Sequence, residues 1–243
     1  MTPAPRPTSF LPSGRSDADS VRAHAAKLAA SPVVSAIFQA TGGAIAILNE
    51  QRQIVAVNQA ALELLGEGAS EALGLRTGEA LGCTRATEGP DGCGTGAACA
   101  SCGTALAILT SERRRQPEER ECAITLKRGT RRIDVDLRVR AAPFELEGER
   151  FTLLAVSDIS AERRRQMLER SFAGDVSQAI ATLRAASAAL GEANPPPEAV
   201  ARVRQLVQQL DRAMQLQRAL SAGVAGPLEP AARTVAIADE LAV

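Results

Sequence analysis

Cys83, Cys93, Cys99 and Cys102 fall within twenty consecutive residues in the pattern C-x9-C-x5-C-x2-C, and Cys122 follows after nineteen intervening residues. These five are all the cysteines in the 243-residue chain. Thiolates are soft ligands that suit zinc, copper(I) and iron–sulfur clusters, and four of them complete a tetrahedral set around one zinc or hold one cluster. Glycines 78, 82, 89, 92, 94 and 96 run through the same stretch and permit the tight backbone that a small inorganic centre demands. For an iron–sulfur cluster the ligands are Cys83, Cys93, Cys99 and Cys102, with Cys122 as a substitute. Zinc fits the thiol count, but structural zinc sites commonly use two Cys-x2-4-Cys knuckles and only Cys99–Cys102 forms one. Two readings without metal stay open. The cysteines are ordinary buried residues, or a thiol pair oxidises; Arg85 near Cys83 or the run Arg113-Arg114-Arg115 would then lower a thiol pKa.

Composition narrows the setting. Lys+Arg and Asp+Glu balance at 28 each, which leaves no excess positive charge for a phosphate backbone. With five Phe, no Trp and no Tyr, stacking platforms for bases are absent and the core is aliphatic. Nucleic-acid binding is therefore disfavoured. No apolar run approaches the ~20 residues of a membrane-spanning helix, and the Pro- and Ser-rich start has no apolar h-region, so a cytoplasmic protein is expected. Thiols stay reduced in that compartment, which favours metal ligation or redox sensing over a disulfide framework, and the odd cysteine count agrees.

The elements that must position the cysteines follow from periodicity and caps. Residues 1–16, with Pro3, Pro5, Pro7 and Pro12, read as a disordered leader. A helix is predicted from near Asp17 or Asp19 through Ala30, carrying His24, the only histidine, and interrupted at Pro32. Ala44–Leu48 and Ile54–Val57 read as a hairpin, and Asn58 caps a helix that Gly66 ends. Beyond the cysteine segment, Cys122–Lys127, Ile133–Arg140 and Phe151–Asp158 read as strands. From Ala161 the pattern is helical. Phe172, Val176, Ala179, Leu183, Ala186 and Leu190 recur at steps of four and three, Pro195–Pro197 force a stop, and Val200, Val203, Val207, Leu210 and Met214 repeat the stripe. Two such stripes fold back as a hairpin over residues 161–222, leaving 223–243 as a tail or connector. One hairpin buries too little alone, so a homodimer forming a four-helix bundle is expected.

The run Ala46-Ile47-Leu48-Asn49-Glu50 with Ile54 to Gly66, and the closing Leu153-Leu154-Ala155-Val156-Ser157-Asp158-Ile159-Ser160, resemble the opening and exit of a PAS sensory domain. The middle resembles a subgroup of such sensors through Gly78-Glu79-Ala80-Leu81-Gly82-Cys83, Gly92-Cys93-Gly94 and Cys99 to Cys102. The resemblance implies an α+β fold over residues 17–160: an antiparallel sheet with helices on one face, followed by the two-helix coiled-coil hairpin. That hairpin is similar to the dimerisation and phosphoacceptor helices of sensor histidine kinases. Phe172-Ala173-Gly174-Asp175 matches their Phe-x-His-Asp-like box, and Gly174 stands where the phosphorylated histidine belongs. Phosphoryl transfer needs a nucleophilic imidazole and a nucleotide-binding domain; neither is found, and no G-x-x-x-x-G-K-[ST] loop is present.

What the residues and the resemblance imply together is a non-catalytic, two-component-type sensor. It reports redox, oxygen or metal state through its cysteine centre to a sensor histidine kinase or response regulator. The rival expectations are a histidine-kinase fragment or variant, and a metal-free dimerisation module with thiol-based sensing. A flavin ranks below metal, because Arg85-Ala86-Thr87-Glu88 lacks the aromatic and amide pattern of a flavin site, and haem ranks lower still with one misplaced histidine.

Overall fold

A computed structural model describes residues 8–66 and 69–190, together with residues 201, 205, 207, 208, 212 and 215. The chain divides into one compact unit through Ser160 and a second from Ala161 onward. In the first unit, helices α1 (Ala18–Ala30) and α2 (Pro32–Ala40) precede strands β1 (Ala44–Leu48) and β2 (Ile54–Val57). Then come α3 (Gln59–Leu65), α4 (Ala69–Ala72), α5 (Thr77–Ala80), a 3-10 turn at Ala97–Ser101 and α6 (Gly103–Arg114). Strands β3 (Glu118–Arg128), β4 (Arg131–Leu146) and β5 (Glu149–Asp158) follow, and α7 (Ser160–Leu190) opens the second unit. The five strands form one antiparallel sheet in the order β2-β1-β5-β4-β3.

Local chemistry accounts for these elements. Asn58 caps α3 by accepting from the Ala61 amide at 3.0 Å, and Gly66 closes it in the left-handed region at φ +69. Asp17 caps α1, its side chain accepting from the Ser20 amide. Pro32 does not simply interrupt this helix: Ser31 caps α2 and Pro32 is its first residue, where a missing amide hydrogen costs nothing.

Alternation along the strands splits the core. Ala46, Leu48, Leu137, Val139, Ala141, Leu154 and Val156 face the layer built from α3 to α6. That is the helical face the sequence implies. Ile47, Val55 and Phe151 point the other way and pack with Val21, Leu28 and Val34 of α1 and α2, so a smaller layer also covers part of the second face. Each strand of the β3–β5 meander runs beyond the predicted limits, because the flanking charged positions keep their backbone pairing while facing solvent.

The sheet's exit is pinned. Asp136 of β4 accepts from the Ile159 amide at 2.8 Å and donates its own amide to Ser160 Oγ at 2.9 Å, while Asp158 Oδ1 accepts from the Ser160 amide at 2.8 Å. In the second unit, Phe172, Val176 and Ala179 of α7 are half-buried. Val207, predicted on the returning stripe, is 53% exposed. The rest of that returning helix, the Pro195–Pro197 stop and the 223–243 tail lie outside the described residues.

Candidate functional site

The cysteine segment lies along the outer edge of the sheet. Cys83 bridges to Leu126 of β3, with Thr84 donating its amide to Thr125 O at 3.0 Å and Lys127 donating to Gly82 O at 2.8 Å. The free backbone groups of the edge strand at Thr125 and Lys127 are thus satisfied by the segment that carries the thiols. From there the chain loops out through Gly89–Gly96 and returns by the 3-10 turn into α6, for which Cys102 is the N-cap residue.

This path brings Cys83, Cys93, Cys99 and Cys102 to the wall of one cavity of about 120 Å3 between the segment and β3. That is about four times the ~30 Å3 a water occupies in the liquid. No carboxylate or imidazole lines it, so its soft metal-binding donors are the thiols. The fifth thiol, Cys122 of β3, is buried, and its Sγ lies 3.5 Å from Cys102 Sγ. Among the described residues no three His, Cys, Asp or Glu side chains already stand as a metal-ligand set. The sulfurs ring the cavity instead of meeting at one point.

Environment divides the thiols. Burial pushes Cys93 up to about 11 and raises Cys83 as well. Arg85 does not lower Cys83 by its charge; the contribution is a backbone amide, and burial outweighs it. The Arg113-Arg114-Arg115 run ends α6 and is exposed, away from the cavity lining. In the Cys102–Cys122 pair, the shared hydrogen bond raises Cys102 and lowers Cys122. Amides at the start of α6, from Gly103 and Thr104, and the Thr104 side chain also favour a thiolate on Cys122. His24 packs edge-on against Phe151 with ring centroids 5.5 Å apart, in the α1 layer, and takes no part in the cavity.

A buried ion network that sequence reasoning missed holds the loop. Arg76 is 1% exposed. Its guanidinium donates to Gln51 O at 3.2 Å, Asp91 O at 2.7 Å, Cys93 O at 3.2 Å, Gly14 O at 2.6 Å and Asp91 Oδ2 at 3.2 Å. Beside it, Glu79 accepts the Cys93 amide at 3.1 Å, the Arg76 amide at 3.0 Å and a two-pronged pair from Arg15 at 3.1 and 2.5 Å. Gly92 crosses this pair at φ +80, where a Cβ would collide with the Glu79 carboxylate. Burial pulls Glu79 upward, but the Arg15 bond and the two amides overcome it and hold the carboxyl below its ordinary value.

Arg15 belongs to the stretch read as a leader. Residues 8–16 instead lie against the loop: Ser9 donates to Thr95 O, Leu11 to Gly94 O and Gly14 to Asp91 Oδ2, and Leu11 is buried. A Pro-rich segment needs no internal hydrogen bonds, so it can satisfy its amides on a neighbouring loop without periodicity.

Residues 34–95 match the family model described as PAS domain, a stretch that spans β1 to α5 and includes Cys83 and Cys93. This stretch of the chain is similar to a PAS domain. Among solved structures, the chain is similar to the PAS domain of nitrogen regulation protein NR(II) from Vibrio parahaemolyticus, at 18% identity over 53% of this chain and 100% of that one, with TM-score 0.38. It is similar to the PAS domain of an HTR-like protein from Haloarcula marismortui at 21% identity over 52% and 89%, TM-score 0.35. A PAS domain from a two-component sensor histidine kinase matches at 12% identity over 52% and 93%, TM-score 0.36. No curated protein matches significantly. No described helix is long and apolar enough to cross a membrane.

Proposed function

We propose that this protein is a two-component-type sensor whose PAS domain reports redox, oxygen or metal state through its cysteine cavity, without kinase activity of its own. One observation carries the reading: the thiols at 83, 93, 99 and 102 line one cavity against the sheet that holds no carboxylate or imidazole. The donor chemistry suits an iron–sulfur cluster, with zinc as the second choice. A bound cluster would be held by Cys83, Cys93, Cys99 and Cys102 and would supply one-electron redox chemistry. The chain's own contribution is to line one cavity with the four thiols, to raise Cys83 and Cys93 by burial, and to anchor the Cys93 backbone through Glu79 and Arg76.

Output runs through α7 to a homodimer and from there to a sensor histidine kinase or response regulator. The half-buried stripe at Phe172, Val176 and Ala179, together with exposed Met167 and Leu168, supports a helical partner. Gly174 supports the absence of autophosphorylation, since it offers no imidazole where the resembled box has one.

Anaerobic purification followed by iron, sulfide and zinc analysis and a visible spectrum tests the centre. A chromophore that Cys93→Ser abolishes is expected; colourless, metal-free protein with five titratable thiols refutes the metal centre. Incubation with labelled ATP and candidate kinases tests the rest, and acid-labile phosphate on this chain would refute the non-catalytic reading. The metal-free alternative has its own support in the Cys102–Cys122 contact.

A further inference from the structure

We propose that Cys102 and Cys122 are an oxidation site that closes to a disulfide under a hydroperoxide, and that this bond competes with any metal centre for Cys102. The inference rests on the redox-sensor reading and specifies where oxidant acts. The two sulfurs are in contact at 3.5 Å, about 1.5 Å beyond a disulfide bond. All five cysteines are free thiols in this structure.

The contact is built by the fold on both sides. Cys122 is fixed within β3 by its register opposite Leu137. Cys102 is fixed at the head of α6, its amide donating to Cys99 O at 3.1 Å and its carbonyl accepting from Leu106 at 3.0 Å. Gly103 lets that helix head touch the strand: a Cβ there would fall on the Glu121 carbonyl oxygen and lie 3.1 Å from Cys122 Cβ. The spacing Cys102-Gly103 is therefore what seats one thiol on the other.

Chemistry and access agree with the geometry. The two sulfurs share one hydrogen bond at 3.5 Å, so each thiol already faces the other along the line a disulfide would close. Cys102 lines the cavity, which gives a small oxidant a way in, while Cys122 lies behind it at 4% exposure. One sulfur of the pair, as thiolate, attacks a peroxide oxygen; the O–O bond breaks, an alcohol or water leaves, and a sulfenic acid forms. The second sulfur displaces hydroxide from that sulfenic acid, which departs as water with the second thiol's proton. The balance is two thiols plus ROOH giving one disulfide, ROH and water, two electrons passing from sulfur to the peroxide. Once Cys102 is bonded to Cys122 it is no longer a ligand, so oxidation and centre formation exclude each other.

The test uses the full chain, reduced, stripped with EDTA and exposed to equimolar hydrogen peroxide. Titratable thiols should fall from five to three, and tryptic mapping should join peptide 86–113 to peptide 121–127, with fragmentation placing the bond at Cys102. Five persisting thiols, or a bond through Cys83, Cys93 or Cys99, overturn the proposal. Metal analysis of the anaerobic protein runs in parallel. Metal-containing protein that fails to form this crosslink after stripping refutes the disulfide and leaves the sensor centre standing. Metal-free protein that forms it refutes the centre and supports the pair.

Discussion

Replacing Arg76 with methionine should cost the fold about 3–5 kcal/mol and unlock Cys93. The guanidinium is 1% exposed and makes five hydrogen bonds, four to backbone carbonyls and one to Asp91. At ~1.5–3 kcal/mol for each bond to a charged group, a simple sum would reach about 7–15 kcal/mol, which rivals the whole stability of a domain. That sum cannot stand, because the charge was desolvated to make the bonds and the carbonyls share one donor group. Burial lowers Arg76's pKa for the same reason, with Arg15 adding repulsion and Asp91 opposing it. The relevant magnitude is the cost of removing one partner from a buried ion network, about 3–5 kcal/mol. Methionine keeps much of the volume, so the loss reports the polar bonds more than a cavity. Urea denaturation gives the stability change, and the rate of iodoacetamide labelling at Cys93, read by mass spectrometry, reports the loop. Labelling should accelerate at Cys93 well before global unfolding, because its carbonyl loses Arg76. A change below about 1 kcal/mol with unaltered Cys93 labelling would refute the view that this arginine holds the loop.

Three further outcomes are expected. Gly103→Ala should destabilise by about 1–3 kcal/mol, as overpacking does, and slow peroxide-driven loss of thiols by separating α6 from β3; thiol titration and denaturation measure the two effects together. Asn58→Ala should cost about 2–4 kcal/mol in urea denaturation, since it removes the α3 cap and leaves the Ile45 amide, now donating to Asn58 Oδ1 at 2.9 Å, without a partner. Glu79 is held below its ordinary 4.5, so its contribution is complete above that value and is lost as pH falls through the depressed one. Acid titration followed by hydrogen exchange should therefore open the Gly89–Gly96 loop as pH falls below the ordinary Glu79 range in the native chain, and respond less to acid in Glu79→Gln, which starts loosened and keeps only Asp91 to titrate there.

Much of the sheet is legible in the sequence because its signals are local. Ala44–Leu48, Ile54–Val57, Asn58 and Gly66 stand where alternation and capping chemistry put them. Cysteine clustering likewise identifies the cavity wall, since four thiols close in sequence can line one small space. The network behind it is not legible. Arg15, Arg76, Glu79 and Asp91 are separated by up to 76 residues, and a lone charge in a sequence carries no mark of burial. Pro32 misleads for a physical reason: proline breaks a helix interior yet suits a first turn, and only the position of Ser31 as cap distinguishes the two. The contact between Cys102 and Cys122 depends on how α6 meets β3, and the cue within reach was the glycine directly after Cys102.

Because Arg15 grips Glu79 and Gly14 O accepts from Arg76, the boundary of this folded unit does not coincide with its first helix. An expression fragment starting at Ala18 would look complete by secondary structure and yet would arrive without a clamp that secures the Cys93 loop. Thiol reactivity measured on such a trimmed protein would describe an altered pocket, and fusion tags placed directly before Ala18 would carry the same defect.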